Sequence, residues 1–296
     1  MTMSKSFLGM VLGILLGSWL ATGCNPTRQT AAMPTATQEA TFTNTRTSTP
    51  RPFPDLEATP TLLTPPDTGW ELIQSGLERR IIPISGNQDQ WVESLYILRL
   101  DLDQFRLDIA YQEKPQTLEA WQAETNALIV VNGGYFRREN DIYIPNGLTI
   151  VDGVAFGSSY DAFAGMLAID DNGAELRWLA DDPYDPNEPL LAALQSFPIL
   201  VQPGGKLGFP EQHEDNLQAI RTVIGQDNDG RMLLMVAPQG YFTLHQLSVY
   251  LTESDLNLDI AINLDGGPSS GILLADPREI VPAGIMLPLV ILVHGR

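Results

Sequence analysis

Residues 260–271 read Ile260-Ala261-Ile262-Asn263-Leu264-Asp265-Gly266-Gly267-Pro268-Ser269-Ser270-Gly271. An apolar run that ends on a polar side chain and two glycines is the pattern of a buried strand turning sharply at its end. A second stretch repeats it: Ala127-Leu128-Ile129-Val130-Val131-Asn132-Gly133-Gly134-Tyr135-Phe136, followed by Pro145-Asn146-Gly147-Leu148-Thr149-Ile150-Val151-Asp152-Gly153. In both, the glycines let the backbone approach a ligand closely. Successive N–H groups in such turns can hold an anionic oxygen.

Working outward, strand signals dominate. Leu95 to Leu102 and Phe105 to Tyr111 flank Asp103-Gln104 and read as a hairpin, and further short apolar or alternating runs recur as far as Leu287 to Val293. Asp171-Asn172-Gly173 and Asp227-Asn228-Asp229-Gly230 carry the chemistry of tight reversals between antiparallel strands. Helical patches are expected at Thr117 to Glu124, Glu188 to Phe197 and Thr243 to Ser254, the last with Thr243 as N-cap. Strands grouped in hairpins with a minority of helices indicate an α+β fold: a mixed, largely antiparallel sheet with a few packed helices, in a single domain spanning 70–296.

The first 69 residues differ in kind. Lys5, an apolar run from Phe7 to Leu20 and the ending Ala21-Thr22-Gly23-Cys24 read as a secretory signal, too short and Gly-rich for a membrane-spanning helix. Small residues before the one Cys of the chain resemble a bacterial lipobox. That likeness implies a signal peptide over 1–23, lipidation at Cys24 and anchorage to the outer face of the cytoplasmic membrane or the cell envelope. Residues 25–69 hold thirteen Thr and eight Pro with few aliphatics, which is the composition of a flexible tether, so 24–69 is expected to lift a domain off the bilayer.

The charge separates along the same line. The chain has 17 Lys and Arg against 36 Asp and Glu, a net charge of -19, and residues 1–69 contain four of each sign. The whole excess therefore belongs to residues 70–296. Such a domain lacks the basic surface needed to displace counterions from a nucleic acid, so no nucleic-acid partner is expected. A single Cys excludes an internal disulfide framework and a multi-cysteine metal site.

Five motifs, in one order, carry a resemblance: Asn132-Gly133-Gly134-Tyr135-Phe136; Gly147-Leu148-Thr149-Ile150 with Asp152-Gly153; Pro198-Ile199-Leu200-Val201; Arg221-Thr222-Val223-Ile224-Gly225; and Asn263-Leu264-Asp265-Gly266-Gly267-Pro268-Ser269-Ser270. Together they resemble the phosphodiester glycosidase family over roughly residues 90–295. The resemblance implies hydrolysis of a bond joining a sugar's anomeric carbon to a phosphodiester. Two departures flank the expected phosphate site and bear on the substrate: Ala219-Ile220 stands where the family often has His-Pro, and Pro268 where Gly is more usual.

The residue types suit that chemistry. Arg221 can grip phosphate oxygens bidentately, and Asp265, ending an apolar strand, can be desolvated and tuned as acid, base or nucleophile. Asp152 is the leading second carboxylate, ahead of Glu139 and Asp141, because glycosidic cleavage ordinarily uses two. Asn132, Gly133, Gly134, Tyr135, Asn263, Gly266, Gly267, Ser269 and Ser270 are the expected substrate contacts. Each has a bland alternative: Arg221 as an ion-pair partner, Asp265 as a turn cap, Asn263 as a core residue.

Other readings compete. Gly267-Pro268-Ser269-Ser270-Gly271 fits the serine-hydrolase G-x-S-x-G pattern, but that elbow needs a following helix, and Ile272-Leu273-Leu274 is strand-like. No resident metal or cofactor is expected from His213, His245 and His294, which lack cluster spacing. Asp181, Asp182, Asp185 and Glu188 read as a solvated loop whose oxygens could bind calcium weakly. A non-catalytic envelope module that binds a phosphosugar or polysaccharide would use the same pocket.

Overall fold

The computed structural model describes residues 64–296, so the signal, the Cys24 lipidation site and most of the expected tether lie outside the described residues. Thr64, Asp67 and Thr68 are described, although the tether was expected to run through them. Thr64 donates from its backbone to the Asp89 carbonyl at 3.3 Å, and Asp67 pairs with Arg80 at 2.6 Å. The folded part thus begins before residue 70.

Three antiparallel sheets make up most of it. An eight-stranded sheet runs, in spatial order, Glu71–Gln74, Leu77–Ser85, Trp91–Leu100, Met232–Ala237, Arg221–Asp227, Leu258–Asn263, Ile199–Gln202 and Lys206–Leu207. A five-stranded sheet has the order Gly173–Trp178, Gly165–Asp170, Ala192–Ser196, Thr149–Val151 and Val154–Phe156. The third sheet is Glu279–Val281, Ile272–Leu274, Ile129–Asn132, Leu287–Gly295 and Phe105–Gln116. A two-stranded hairpin, Phe136–Glu139 with Ile142–Pro145, forms a sheet of its own and packs on the third sheet, where the Tyr111 hydroxyl donates to the Tyr143 carbonyl at 2.6 Å.

Period-two alternation explains how these sheets share one core. Leu98, Ile224 and Ile262 of the first sheet, Leu167 and Leu194 of the second, and Ile109, Val131 and Ile291 of the third all join one buried cluster. The intervening residues of the first sheet, among them Ile97, Val223, Leu233 and Met235, point the other way and pack under helix α2 (Leu244–Glu253). Helix α1 (Leu118–Thr125) covers the outer face of the third sheet through Leu118 and Trp121. Both helices start where expected: Thr117 and Thr243 cap them by accepting from the N–H three residues on.

Four expectations need correction. Every strand pairing among the described residues is antiparallel, so the sheet is not mixed, and with two α-helices the domain is β-rich rather than a balanced α+β fold. A parallel contact occurs as an isolated bridge, Gly147 with Ser158. The stretch Glu188 to Phe197 is not helical. Ala192–Ser196 is a fully buried strand paired on both sides, and that pairing overrides the helix propensity of Ala-Ala-Leu-Gln.

The hairpin around Asp103-Gln104 does not form either. Trp91–Leu100 pairs with Leu77–Ser85 and Met232–Ala237, whereas Phe105–Gln116 pairs with Leu287–Gly295. The Phe105 and Gln104 N–H groups both bond the Asp101 carbonyl, a helix-like turn that carries the chain from one sheet to another instead of folding it back. The Asp171-Asn172-Gly173 and Asp227 to Gly230 reversals do form, joining antiparallel neighbours. Among the described residues no helix is long and apolar enough to cross a membrane.

Candidate active site

The two Gly-rich stretches come from different sheets and meet end to end. The Asp265 N–H donates to the Gly133 carbonyl at 3.1 Å, and the Asn132 side-chain amide donates to the Asp265 carbonyl at 2.8 Å. Asn132 Oδ1 accepts from the Thr222 hydroxyl at 2.8 Å and the Gly271 N–H at 3.0 Å. Asn132 is 1% exposed and its polar atoms are all engaged. Expected as a substrate contact, it is instead the bolt that joins three strand ends.

The glycines also act by packing. A Cβ at Gly133 would lie 2.7 Å from the Leu289 side chain, and one at Gly134 3.0 Å from the Gln195 carbonyl. Gly267 has φ +58°, a left-handed conformation that favours Gly. The expected anion nest in the 266–271 turn does not exist. Gly267 donates to the Ile220 carbonyl, Ser269 and Ser270 to Gly266 and Gly267, Gly271 to Asn132, and Gly266 to Asp265 itself.

Around this joint lie the groups with chemistry to offer. Burial pushes the Asp265 carboxyl above the usual carboxylate range, while the Ser269 hydroxyl and the Gly266 N–H, 3.0 Å from Oδ1, draw it back. Tyr135 is pushed well above the usual phenol range, first by burial and then by the field of Asp265, with Arg221 acting against them. Its Oη accepts from Asn263 Nδ2 at 2.9 Å. That amide also faces the carbonyls of Phe197 and Leu264, at 3.1 and 2.7 Å, which fixes its orientation because the flipped oxygen would meet two acceptors. Asn263 Oδ1 and Ser270 Oγ are buried with no hydrogen-bond partner among the described residues.

Arg221 opens its strand and is 6% exposed. Its Nη2 donates to the Leu217 carbonyl at 2.6 Å and its Nε to Phe242 at 3.3 Å, and no carboxylate among the described residues lies within salt-bridge distance. Burial lowers its pKa, while the fields of Tyr135, Asp215 and Glu214 raise it. A Cβ at Gly266 would stand 3.9 Å from Nη1. A buried guanidinium without a carboxylate partner, beside a glycine that leaves room, is suited to an anionic ligand.

An aromatic wall adjoins this cluster. Phe197 is its hub, with ring centroids 4.6 Å from Tyr135, 5.2 Å from Tyr160 and 5.4 Å from Phe163. Tyr160 is held by its N–H to Gln195 Oε1 at 2.7 Å, and a Cβ at Gly147 would strike its ring at 2.6 Å. Burial raises the Tyr160 phenol, Arg137 lowers it and Asp265 raises it. Tyr160, Phe163, Phe197 and Arg137 were not foreseen from sequence. The signal available was the glycine at 147, which marks a close approach without naming what approaches.

Asp152 does not join the group. It occupies an exposed two-residue turn with φ +49°, followed by Gly153 at +74°, and links Thr149–Val151 to Val154–Phe156. Its neighbours across a separate groove of about 410 Å³ include Arg106, Asp108 and Asp170. Glu139 and Asp141 pair with Arg137 and Arg138 within the hairpin 136–145. The G-x-S-x-G match makes a single 3₁₀ turn, Gly267–Ser269, that leads into a strand, so no nucleophile elbow forms. In the acidic stretch, Asp182 and Glu188 pair with Arg177, and no group of three or more His, Cys, Asp or Glu suited to a metal occurs among the described residues.

Fold and site together define a β-rich domain with a desolvated carboxylate, an arginine with no carboxylate partner among the described residues and an aromatic wall, and a sequence profile places it: residues 125–285, just over half of the chain, match the phosphodiester glycosidase family, to which this chain belongs. Among solved structures, the chain is similar to the catalytic domain of zebrafish N-acetylglucosamine-1-phosphodiester alpha-N-acetylglucosaminidase, auto-inhibited by its pro-peptide. That match has 21% identity and a TM-score of 0.59, covering 75% of this chain and 84% of that one. It is also similar to a hypothetical protein from Synechocystis, at 13% identity and a TM-score of 0.54, covering 78% of this chain and 64% of the other. At these identities the likeness is one of fold. No curated protein matches the sequence. The family makes the coarse activity that of a phosphodiester glycosidase, a hydrolase.

Proposed function

We propose that the protein hydrolyses a glycosyl-1-phosphodiester. The observation that carries this reading is Arg221: buried, bonded among the described residues to backbone carbonyls alone, and next to Gly266, whose N–H holds the Asp265 carboxylate. In this reading the guanidinium takes the phosphodiester oxygens. Asp265 accepts a proton from the water that attacks the anomeric carbon. The bond between that carbon and the phosphate oxygen breaks, the water oxygen stays on the sugar, and a phosphomonoester leaves. Tyr135, whose oxygen already accepts from Asn263, donates its own proton to the departing phosphate oxygen. Phosphate is a good leaving group, so a second carboxylate matters less than in ordinary glycosidases.

One observation favours the second reading, an envelope module that binds a phosphosugar or polysaccharide without cleaving it: Asp152 stands apart from Asp265. Release of reducing sugar from a glycosyl-1-phosphodiester separates the two. Turnover that is lost in Asp265→Asn supports hydrolysis, and tight binding without turnover supports the module. The enzyme is further proposed to work at the cell envelope, held by a lipid on Cys24 after removal of the signal. The residues around Cys24 and the Thr/Pro-rich composition that follows support this placement.

A further inference from the structure

Tyr135 separates two regions of opposite chemistry. Its hydroxyl accepts from Asn263, at the strand end that carries Asp265, while Tyr135 also lines a cavity of about 540 Å³. The other walls are Phe163, Trp178, Phe197, Phe209 and Leu244. Among the described residues no carboxylate, lysine or arginine lines it, and its polar side chains are Gln202, His213, the Trp178 indole and Tyr135 itself.

We propose that this cavity receives the group esterified to the phosphate, and that this group is an apolar alcohol of hydrocarbon character. The inference rests on the glycosyl phosphodiester reading and names its substrate class. Three arguments support it. The volume falls in the range of about 300–1,000 Å³ that holds a ligand of moderate size. The chemistry of the wall selects against a sugar: Gln202, His213 and the Trp178 indole offer too few partners for a ring of hydroxyls, at a cost of roughly 1–3 kcal/mol for each one left unpaired. The sugar therefore belongs on the side of Asn263, Asp265 and Ser269. Finally, Phe163 is 53% exposed at the rim although it packs on Phe197 and Tyr160, and an aromatic left open beside a reacting centre is suited to cover an apolar group.

The test uses three phosphodiesters of one sugar, with methyl, glyceryl and octyl groups, below the micellar concentration of the octyl compound, and the full-length protein. The octyl compound is expected to exceed the glyceryl one in kcat/KM by roughly tenfold or more, and Phe163→Ser and Trp178→Ser are expected to bring the ratio of the two towards one. Equal values in the unaltered protein, or a ratio that neither substitution changes, would overturn the inference and leave the hydrolase reading standing. Calorimetric titration with octyl phosphate and glycerol phosphate gives a second readout. Tighter binding of octyl phosphate that depends on Phe163, with no hydrolysis of any compound, would uphold the apolar subsite and remove the hydrolase reading. Equal binding of the two would count against the subsite.

Discussion

Asn263 donates from its side-chain amide to the Tyr135 phenol oxygen at 2.9 Å, across 128 residues of sequence. Because the amide cannot flip without facing the Phe197 and Leu264 carbonyls, Tyr135 receives that bond and keeps its own proton for another acceptor. Tyr135→Phe keeps the stack on Phe197 and removes the hydroxyl, both its proton and the oxygen that accepts from Asn263. Hydrolysis is expected to fall in kcat by roughly 10- to 100-fold with KM little changed, measured by steady-state release of sugar. A change confined to KM would make Tyr135 a binding contact only.

Asp265 yields a prediction in pH. Its carboxyl sits above the usual range in the folded protein, so the native state holds this proton more tightly than the unfolded chain does. Its protonated form therefore favours folding below the unfolded pKa, and that contribution is lost as pH rises through the folded value. Asp265→Asn, which stays neutral, is expected to raise Tm relative to the parent at pH 7, and the gain should vanish in acid. The same variant should lose about 10²- to 10⁴-fold in kcat. In the parent, the acid limb of kcat/KM should fall above the ordinary carboxylate range. Retained activity in the variant would remove Asp265 from the mechanism.

Arg221→Lys tests the grip on phosphate. A lysine keeps the charge but cannot present a planar fork or reach both the Leu217 and Phe242 carbonyls. Binding of a sugar phosphate, followed by calorimetry, is expected to weaken by roughly 10- to 100-fold. Unchanged affinity would place the phosphate elsewhere.

Asn132 behaves as a fastener. Asn132→Ala leaves the Thr222 hydroxyl and the Gly271 N–H buried without their shared acceptor, so unfolding in urea should show a loss of about 2–4 kcal/mol. A substrate contact would instead change KM while stability held.

Cys24→Ser addresses location. The protein is expected to move from the membrane fraction to the soluble fraction when cells are fractionated, and unchanged partition would refute lipid anchorage.

The apolar periods, the Asp-Asn-Gly and Asp-Gly turns, the Thr243 helix cap and the two Gly-rich strand ends were legible in the amino-acid sequence because each depends on residues within a few positions. Sheet assignment was less so. Leu100 and Phe105 lie five residues apart yet pair in different sheets, since the partners that decide this come from residues 77–85, 232–237 and 287–295.

The division of labour within the site was the least legible. Asn132 and Asn263 both end apolar strands before Gly-rich turns, and nothing local distinguishes them. Only the tertiary structure engages Asn132 with Thr222, Asp265 and Gly271, and leaves Asn263 to hold Tyr135. It likewise carries Asp152 to an exposed turn and brings Tyr160 and Phe163 up to Phe197. The sequence by itself determined which polar groups stand at strand ends. Which of them remain available for a ligand was decided by hydrogen bonds that close over ninety residues or more, and those exist only once the sheets have packed.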